Sequence, residues 1–249
     1  MATRVGKRKR PDREVKPDKQ VNKIAGRVFD DKTVAVLVGW INKKKIKSLD
    51  YPLSSGKEAV VFRATLRDGS FAAVKIFKYE TSSFKHMMEY IEGDPRFRVR
   101  KQRRPLVKAW ARKEYANLME LRRVGVRVPE PLAVEENVLM MEFLGVGGVP
   151  SALMEDVVLA DPVFVFDDVL RQVKLAYCDA KLVHGDLSSF NVIIHGDLPF
   201  LIDVGQAVDL KHPKAGIFLE KDLSNLVKYF GKLGIKKDVA QLVSQVKEC

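Results

Sequence analysis

Apolar residues along this chain change period several times, and each change marks an element. After Asp30, an N-cap residue type, Val34, Leu37, Val38 and Ile41 recur at helical spacing with Trp40 beside them, and Lys43 to Lys45 suit the carbonyl end of that helix. Val60 to Ala64 alternate as a strand, Asp68-Gly69 supplies a hairpin turn, and Phe71 to Phe77 is the returning strand. Leu106, Ala109, Trp110, Tyr115, Leu118 and Leu121 predict an amphipathic helix over 105–124. Pro129 and Pro131 open a strand pair whose buried member is Val138 to Phe143. Further helices are predicted from Val165 to Leu182 and from Phe218 to Leu233, with a short hairpin between them that turns at His195-Gly196-Asp197. The 249 residues suffice for one large domain or for two lobes sharing a cleft.

Charge separates the ends of this pattern from its middle. Residues 1–23 carry nine Lys/Arg against three acids, and residues 96–113 carry nine Lys/Arg and no acid. Residues 1–26 are too polar to fold alone and read as a basic mobile arm. The second cluster reads as a phosphate or nucleic-acid contact, since clustered cations gain affinity by counterion release. The apolar runs are short and broken by charge, which predicts a soluble, cytoplasmic protein with no membrane partner. Cys178 and Cys249 lie far apart without metal-like spacing, so free thiols and no catalytic cysteine are expected. From Tyr79 to Arg104 runs a long polar insertion, read as a mobile segment beside a cleft.

The chemistry concentrates between His184 and Gly205. Asp186 and Asn191 stand five residues apart, as do the base and the metal-binding amide of a protein-kinase catalytic loop, and Asp203 closes an apolar strand just before Gly205. Asp186 is the candidate general base, Asn191 and Asp203 are candidate metal ligands, and His184 is given a positioning role. Upstream, Ser54, Ser55, Gly56 and Lys57 form a glycine loop, and Lys75 sits in the apolar strand Ala72-Ala73-Val74-Lys75. A buried ammonium needs a carboxylate, and Glu114 on the 105–124 helix is the candidate. Met141, Glu142 and Leu144 resemble a kinase hinge, with the Glu142 carbonyl and Leu144 amide for adenine and Met141 as gatekeeper.

In this order these parts resemble the RIO family of atypical serine protein kinases. The strings Ser55-Gly56-Lys57-Glu58-Ala59, Tyr90 through Phe97, Trp110 through Leu118 and Ile202-Asp203-Val204-Gly205-Gln206 resemble the subfamily that lacks an N-terminal winged helix. The resemblance implies an α+β, trimmed bilobal kinase fold. An antiparallel sheet plus helix would occupy 27–144 and a short, mainly helical lobe 145–249. It also implies ATP with Mg2+ or Mn2+, serine phosphorylation including autophosphorylation, ATP hydrolysis with Asp203 able to accept the phosphoryl group, and a precursor of the small ribosomal subunit or its RNA as partner. Gly185 replaces the Arg that usually precedes the catalytic Asp, and no Ala-Pro-Glu segment follows Gly205. Neither activation-loop control nor docking of a long peptide is therefore expected. Two other readings remain: a small-molecule kinase of the aminoglycoside and choline type, and a non-catalytic assembly factor switched by nucleotide.

Overall fold

The computed structural model describes residues 29–80, 83–97 and 102–249; the basic arm expected at 1–26 lies outside them. Helix α1 (Asp31–Asn42) begins where Asp30 accepts a hydrogen bond from the Thr33 amide at 2.9 Å. Five strands form one antiparallel sheet: β1 (Ser48–Ser55), β2 (Ala59–Thr65), β3 (Phe71–Phe77), β4 (Pro131–Glu135) and β5 (Val138–Glu142), in the spatial order β1-β2-β3-β5-β4. Strand β1 was not expected from the sequence, which showed only a glycine loop here; Ser54 and Ser55 of that loop pair with Val61 and Val60.

The pleat divides the sheet's side chains between two cores. Val60, Phe62, Ala64, Ala72, Val74, Ile76, Val138 and Met140 face Val36, Leu37 and Trp40 of α1. The Trp40 indole also donates to Glu135 at 2.9 Å, which fastens α1 to the sheet edge. Ala59, Phe77, Leu139 and Met141 face the other way, into a larger core shared with helix α3 (Arg103–Arg123) and the C-terminal half. Lys75 belongs to this second face by register, opposite Val61 and Leu139.

The expected polar insertion contains a helix, α2 (Phe84–Ile91), that buries Met87, Met88, Tyr90 and Ile91. This corrects the reading of a wholly mobile segment. Phe84, Met87, Met88 and Ile91 recur at three- and four-residue spacing, a signal masked by the surrounding charge.

The second half holds a small hairpin of β6 (Gly145–Val146) and β7 (Val149–Pro150), then helix α4 (Pro162–Cys178), which starts with Pro162 behind an Asp161 cap. Strands β8 (Leu182–Val183) and β11 (Val208–Asp209) bracket the catalytic segment, and β9 (Val192–His195) and β10 (Leu198–Leu201) form the hairpin turning at Gly196-Asp197. Helices α5 (Ala215–Gly231) and α6 (Val239–Lys247) close the fold. Because α6 packs on α4 and α5, the last residue reaches the end of α4, and Cys178 and Cys249 form a disulfide with Cα atoms 5.4 Å apart. The expectation of free thiols is thereby corrected: separation along the chain said nothing about proximity in the fold. Among the described residues no helix is long and apolar enough to cross a membrane. The architecture is α+β, with the antiparallel sheet in the first half and helices dominating the second.

Candidate active site

Three sequence-distant charges meet where the sheet faces α3. Lys75 Nζ donates to both carboxylate oxygens of Glu114, at 2.7 and 2.8 Å, and to Oδ1 of Asp203 at 2.8 Å. The Glu114 side chain is 1% exposed and that of Asp203 43%, so the ammonium joins a buried carboxylate to one that opens on solvent. Burial works against the Lys75 charge, but Asp203 and Glu114 overcome it and hold its pKa above the ordinary lysine value. Burial pushes the Glu114 carboxyl up, with Lys75 opposing. For Asp203 burial also works upward, yet Lys75 prevails and the net shift is downward.

Asp203 sits at φ 58° and ψ 53°, a left-handed conformation that costs a non-glycine residue about 1–3 kcal/mol and persists only when its surroundings dictate it. Here the surroundings are explicit. Ile202 N donates to Asn191 O on one side. On the other, Asn117 Nδ2 donates to the carbonyls of Val204 (2.7 Å) and Ala207 (3.1 Å), and the buried Lys113 ammonium to those of Gly205 (3.0 Å) and Ala207. Arg96, paired with Asp94 at 2.7 Å, reaches the Asn117 amide oxygen and the Ala207 carbonyl. Gly205 allows a close approach: a Cβ there would stand 3.0 Å from the Trp110 indole nitrogen and 3.1 Å from Glu114, so either neighbour would have to give way by a few tenths of an ångström. Helix α3 thus holds Lys75 through Glu114 and, one residue earlier and three later, the backbone that follows Asp203.

The catalytic loop is fixed from beneath by α5. Asp222, buried, accepts from the amides of Gly185 (2.7 Å) and Leu187 (2.8 Å), and Asn225 donates to Leu187 O at 3.0 Å. Burial raises the Asp222 carboxyl to about 7, with those amides and Lys221 opposing. Asp186, between the two anchored amides, carries a 39% exposed side chain whose Oδ1 receives Lys221 Nζ at 2.9 Å. Gly185 has φ +83°, and a Cβ on it would meet Gln206 O at 3.0 Å and the Tyr90 ring at 3.2 Å. Tyr90, from the insertion helix, stacks on Phe218 and donates to Gly185 O at 3.4 Å. His184 is buried against Ile202 O at 3.1 Å, and burial lowers its pKa. That geometry suits the positioning role.

Asn191 Nδ2 donates to the Asp186 carbonyl at 2.7 Å, which sets the amide rotamer and leaves its oxygen to accept. Asn191 and Asp203 therefore offer hard oxygen donors of the kind Mg2+ takes alongside phosphate oxygens and water. Among the described residues no group of three or more His, Cys, Asp and Glu forms a self-sufficient metal cage. The pair fits a cation shared with a substrate.

The glycine loop is exposed from Ser54 to Lys57, with Gly56 N donating to Ala59 O and Gly56 O accepting from Lys78. In the hinge segment, Met141 is half-buried opposite Ala73, two residues from Lys75 on the same face, while Leu144 is buried and its carbonyl accepts from Ser151 N. Of the basic cluster, Lys113 and Arg96 are consumed in the network after Asp203. Arg104 pairs with Asp30 and covers Tyr79, and Lys108 pairs with Glu136. Arg98, Arg100 and Lys101 lie outside the described residues. Sequence reasoning missed Asp222, although a carboxylate on the apolar stripe Leu219, Leu223, Leu226 was a usable signal. It also missed Lys221 and Asn117, whose patterns say nothing by themselves.

Residues 60–242 match the RIO domain family model. The chain belongs to the RIO domain family. It is 42% identical over 217 residues to the RIO-type serine/threonine-protein kinase Rio1 of Haloferax volcanii, covering 87% of this chain and 74% of that one. To the Rio1 of Methanocaldococcus jannaschii it is 38% identical over 210 residues, 84% of this chain and 71% of the other. These relatives place it among RIO-type serine/threonine kinases. The fold is also that of the Rio2 kinase of Chaetomium thermophilum in its ADP/Mg2+-phosphoaspartate complex, with a TM-score of 0.65, 18% identity, and coverage of 92% of this chain and 75% of that one.

Proposed function

We propose that this RIO kinase binds ATP with Mg2+ or Mn2+ in the cleft between the sheet and the catalytic loop. There it transfers the γ-phosphoryl group to serine hydroxyls, its own included, or to water. The observation that carries the reading is the convergence of Lys75, Glu114 and Asp203 on one ammonium, beside a loop that presents Asp186 and Asn191. Lys75 would meet the nucleotide phosphates, with Glu114 keeping the lysine charged and aimed. Ser54, Ser55, Gly56 and Lys57 would cover the phosphates, and the Glu142 carbonyl and Leu144 amide would receive adenine beside Met141. Asp186 takes the proton of the attacking hydroxyl as the new O–P bond forms and the bond to the β–γ bridging oxygen breaks, ADP leaving with that oxygen. Asn191 and Asp203 would hold the divalent cation, which neutralises charge on the phosphates.

The Rio2 neighbour was captured with a phosphoaspartate. In this chain the corresponding step falls to Asp203: a carboxylate oxygen bonds to the γ-phosphorus as ADP leaves, and water then releases phosphate and restores the carboxylate. Such hydrolysis would serve as a timer for stay on, and release from, a precursor of the small ribosomal subunit. The test is ATP turnover with Mg2+, alone, with serine proteins and with small-subunit particles, together with trapping of a hydroxylamine-sensitive phosphate on the chain. Particle-stimulated hydrolysis and an adduct lost in Asp203→Ala are expected. Fast transfer to free serine proteins with neither effect would replace the timer by an ordinary protein kinase, and no turnover at all would favour a nucleotide-switched assembly factor.

A further inference from the structure

We propose that Lys221 is a further residue of the phosphotransfer site with two tasks: it holds the carboxylate of Asp186, and it presents to the phosphoryl group a cation that the catalytic loop itself lacks. The inference rests on the kinase reading above and goes on to assign a role to α5. Between Gly185 and Asn191 the loop contains no Lys or Arg, and Lys75, held by Glu114 and Asp203, is the cation assigned above to the nucleotide phosphates and not to the acceptor side. The base must nonetheless work beside a polyanionic substrate. Lys221 Nζ stands 2.9 Å from Asp186 Oδ1.

The geometry is specific because one stretch of α5 holds the whole loop. Asp222 takes the amides on either side of Asp186, Asn225 takes the Leu187 carbonyl, and Lys221, one turn before Asn225 on the same face, takes the Asp186 side chain. The backbone and the carboxylate of the base are thus referenced to one rigid element. Both partners of the ion pair are well exposed, 46% for Lys221 and 39% for Asp186, so the pair contributes little to folding. An ammonium has three donors and Asp186 engages one of them, which leaves N–H groups for a phosphoryl oxygen at the acceptor side. Other charged and titratable groups around the pair include Glu89, which feels Lys221 and pairs with Lys214 at 2.9 Å, His184, which feels Asp186, and the buried Asp222.

The experiment compares Lys221→Met, Lys221→Arg and Asp186→Asn with wild type in ATP turnover, nucleotide binding and thermal unfolding. Lys221→Met is expected to lower kcat roughly 10- to 100-fold, less than loss of a full oxyanion donor. Nucleotide affinity and melting temperature should stay near wild type, and Lys221→Arg should recover most of the rate. Wild-type kcat in Lys221→Met would overturn the proposal, as would equal loss in both variants accompanied by a lower melting temperature, the mark of a purely structural residue. If Asp186→Asn itself turns over like wild type, the kinase reading fails first; if only Lys221→Met does, the failure belongs to Lys221 alone.

Discussion

Lys75 and Glu114 form a two-point contact, 2.7 and 2.8 Å, inside a site where the glutamate is almost wholly removed from water. Removing one partner of such a pair typically costs about 3–5 kcal/mol, because the other charge stays buried alone. Lys75→Met should therefore destabilise the protein and weaken nucleotide binding together. The cost should also depend on pH. Burial raises the Glu114 carboxyl and Lys75 opposes that rise, so without the lysine the folded-state pKa climbs further above the unfolded value. A raised carboxyl stabilises fully below its unfolded pKa and loses that contribution as pH rises through the folded one. Urea unfolding at pH 5.5 and pH 8 should show a larger deficit at pH 8, and a pH-independent deficit would mean that Glu114 is not left bearing the charge.

Asp186→Asn should keep nucleotide binding while turnover falls roughly 10²- to 10⁴-fold, the range for a positioned general base. Asn191→Ala and Asp203→Ala should instead raise the divalent-cation requirement, since each removes a hard oxygen donor, and Asp203→Ala should in addition lose the hydrolysis that runs through the phosphoaspartate. Titrating Mg2+ at saturating ATP separates the two classes. An unchanged titration in both metal-site variants would move the cation elsewhere.

Asp94 gives an acid-side prediction. Burial works upward on its carboxyl, but hydrogen bonds and charge from Arg96 prevail and hold it below the ordinary aspartate value. A depressed carboxyl stabilises above its unfolded pKa, and the contribution disappears as pH falls through the folded one. Asp94→Asn should lower stability at pH 7 and flatten the further loss below about pH 4. Because Arg96 also reaches the Ala207 carbonyl, the same variant should raise the Mg2+ requirement. Unfolding curves parallel to wild type between pH 3 and pH 7 would contradict the assignment.

Among the described residues, the basic cluster divides into cations turned inward or paired and cations exposed to solvent. Arg96 and Lys113 bind the segment after Asp203, and Arg104 and Lys108 are paired, whereas Arg103 and Arg112 are exposed. If this face meets an RNA backbone, neutralising Arg103 and Arg112 should reduce the salt slope of binding by about 1 each. Arg96→Gln should lower stability and leave the slope unchanged. Binding measured between 50 and 200 mM salt decides it, and equal effects of the inward and outward cations would remove the distinction.

What could be read from residues alone follows physical locality. The Lys75–Glu114 pair was legible because a lysine inside the strand Phe71–Phe77 demands a partner and an amphipathic helix offered one carboxylate among its apolar positions. The Asp186, Asn191 and Asp203 set was legible because five-residue spacing plus a hairpin is local geometry. Three features were not. Helix α2 was hidden by charge around its apolar stripe. The inward turn of Lys113 depends on carbonyls 92 and 94 residues away, which no local pattern announces. The pairing of Cys178 with Cys249 requires knowing that α6 returns to the end of α4.

That disulfide carries the last prediction. It closes a loop of 71 residues, for which the chain-entropy model sets a ceiling of about 4 kcal/mol. The realised loss should be smaller, because α6 also buries Leu242 and Val246 against the C-terminal core. Each fully buried side chain of this size is worth about 1.5–3 kcal/mol, so the helix should stay docked after reduction. The catalytic loop does not depend on the bond: Asp222 and Asn225 of α5 hold it, and the bridge joins the end of α4 to Cys249, two residues beyond α6. Cys178→Ser, or wild type in excess reductant, should therefore unfold at lower urea with turnover per folded molecule unchanged. Equal unfolding midpoints with and without reductant would show that the thiols are not bridged in solution, and loss of turnover without loss of stability would mean that the end of α4 controls the loop after all.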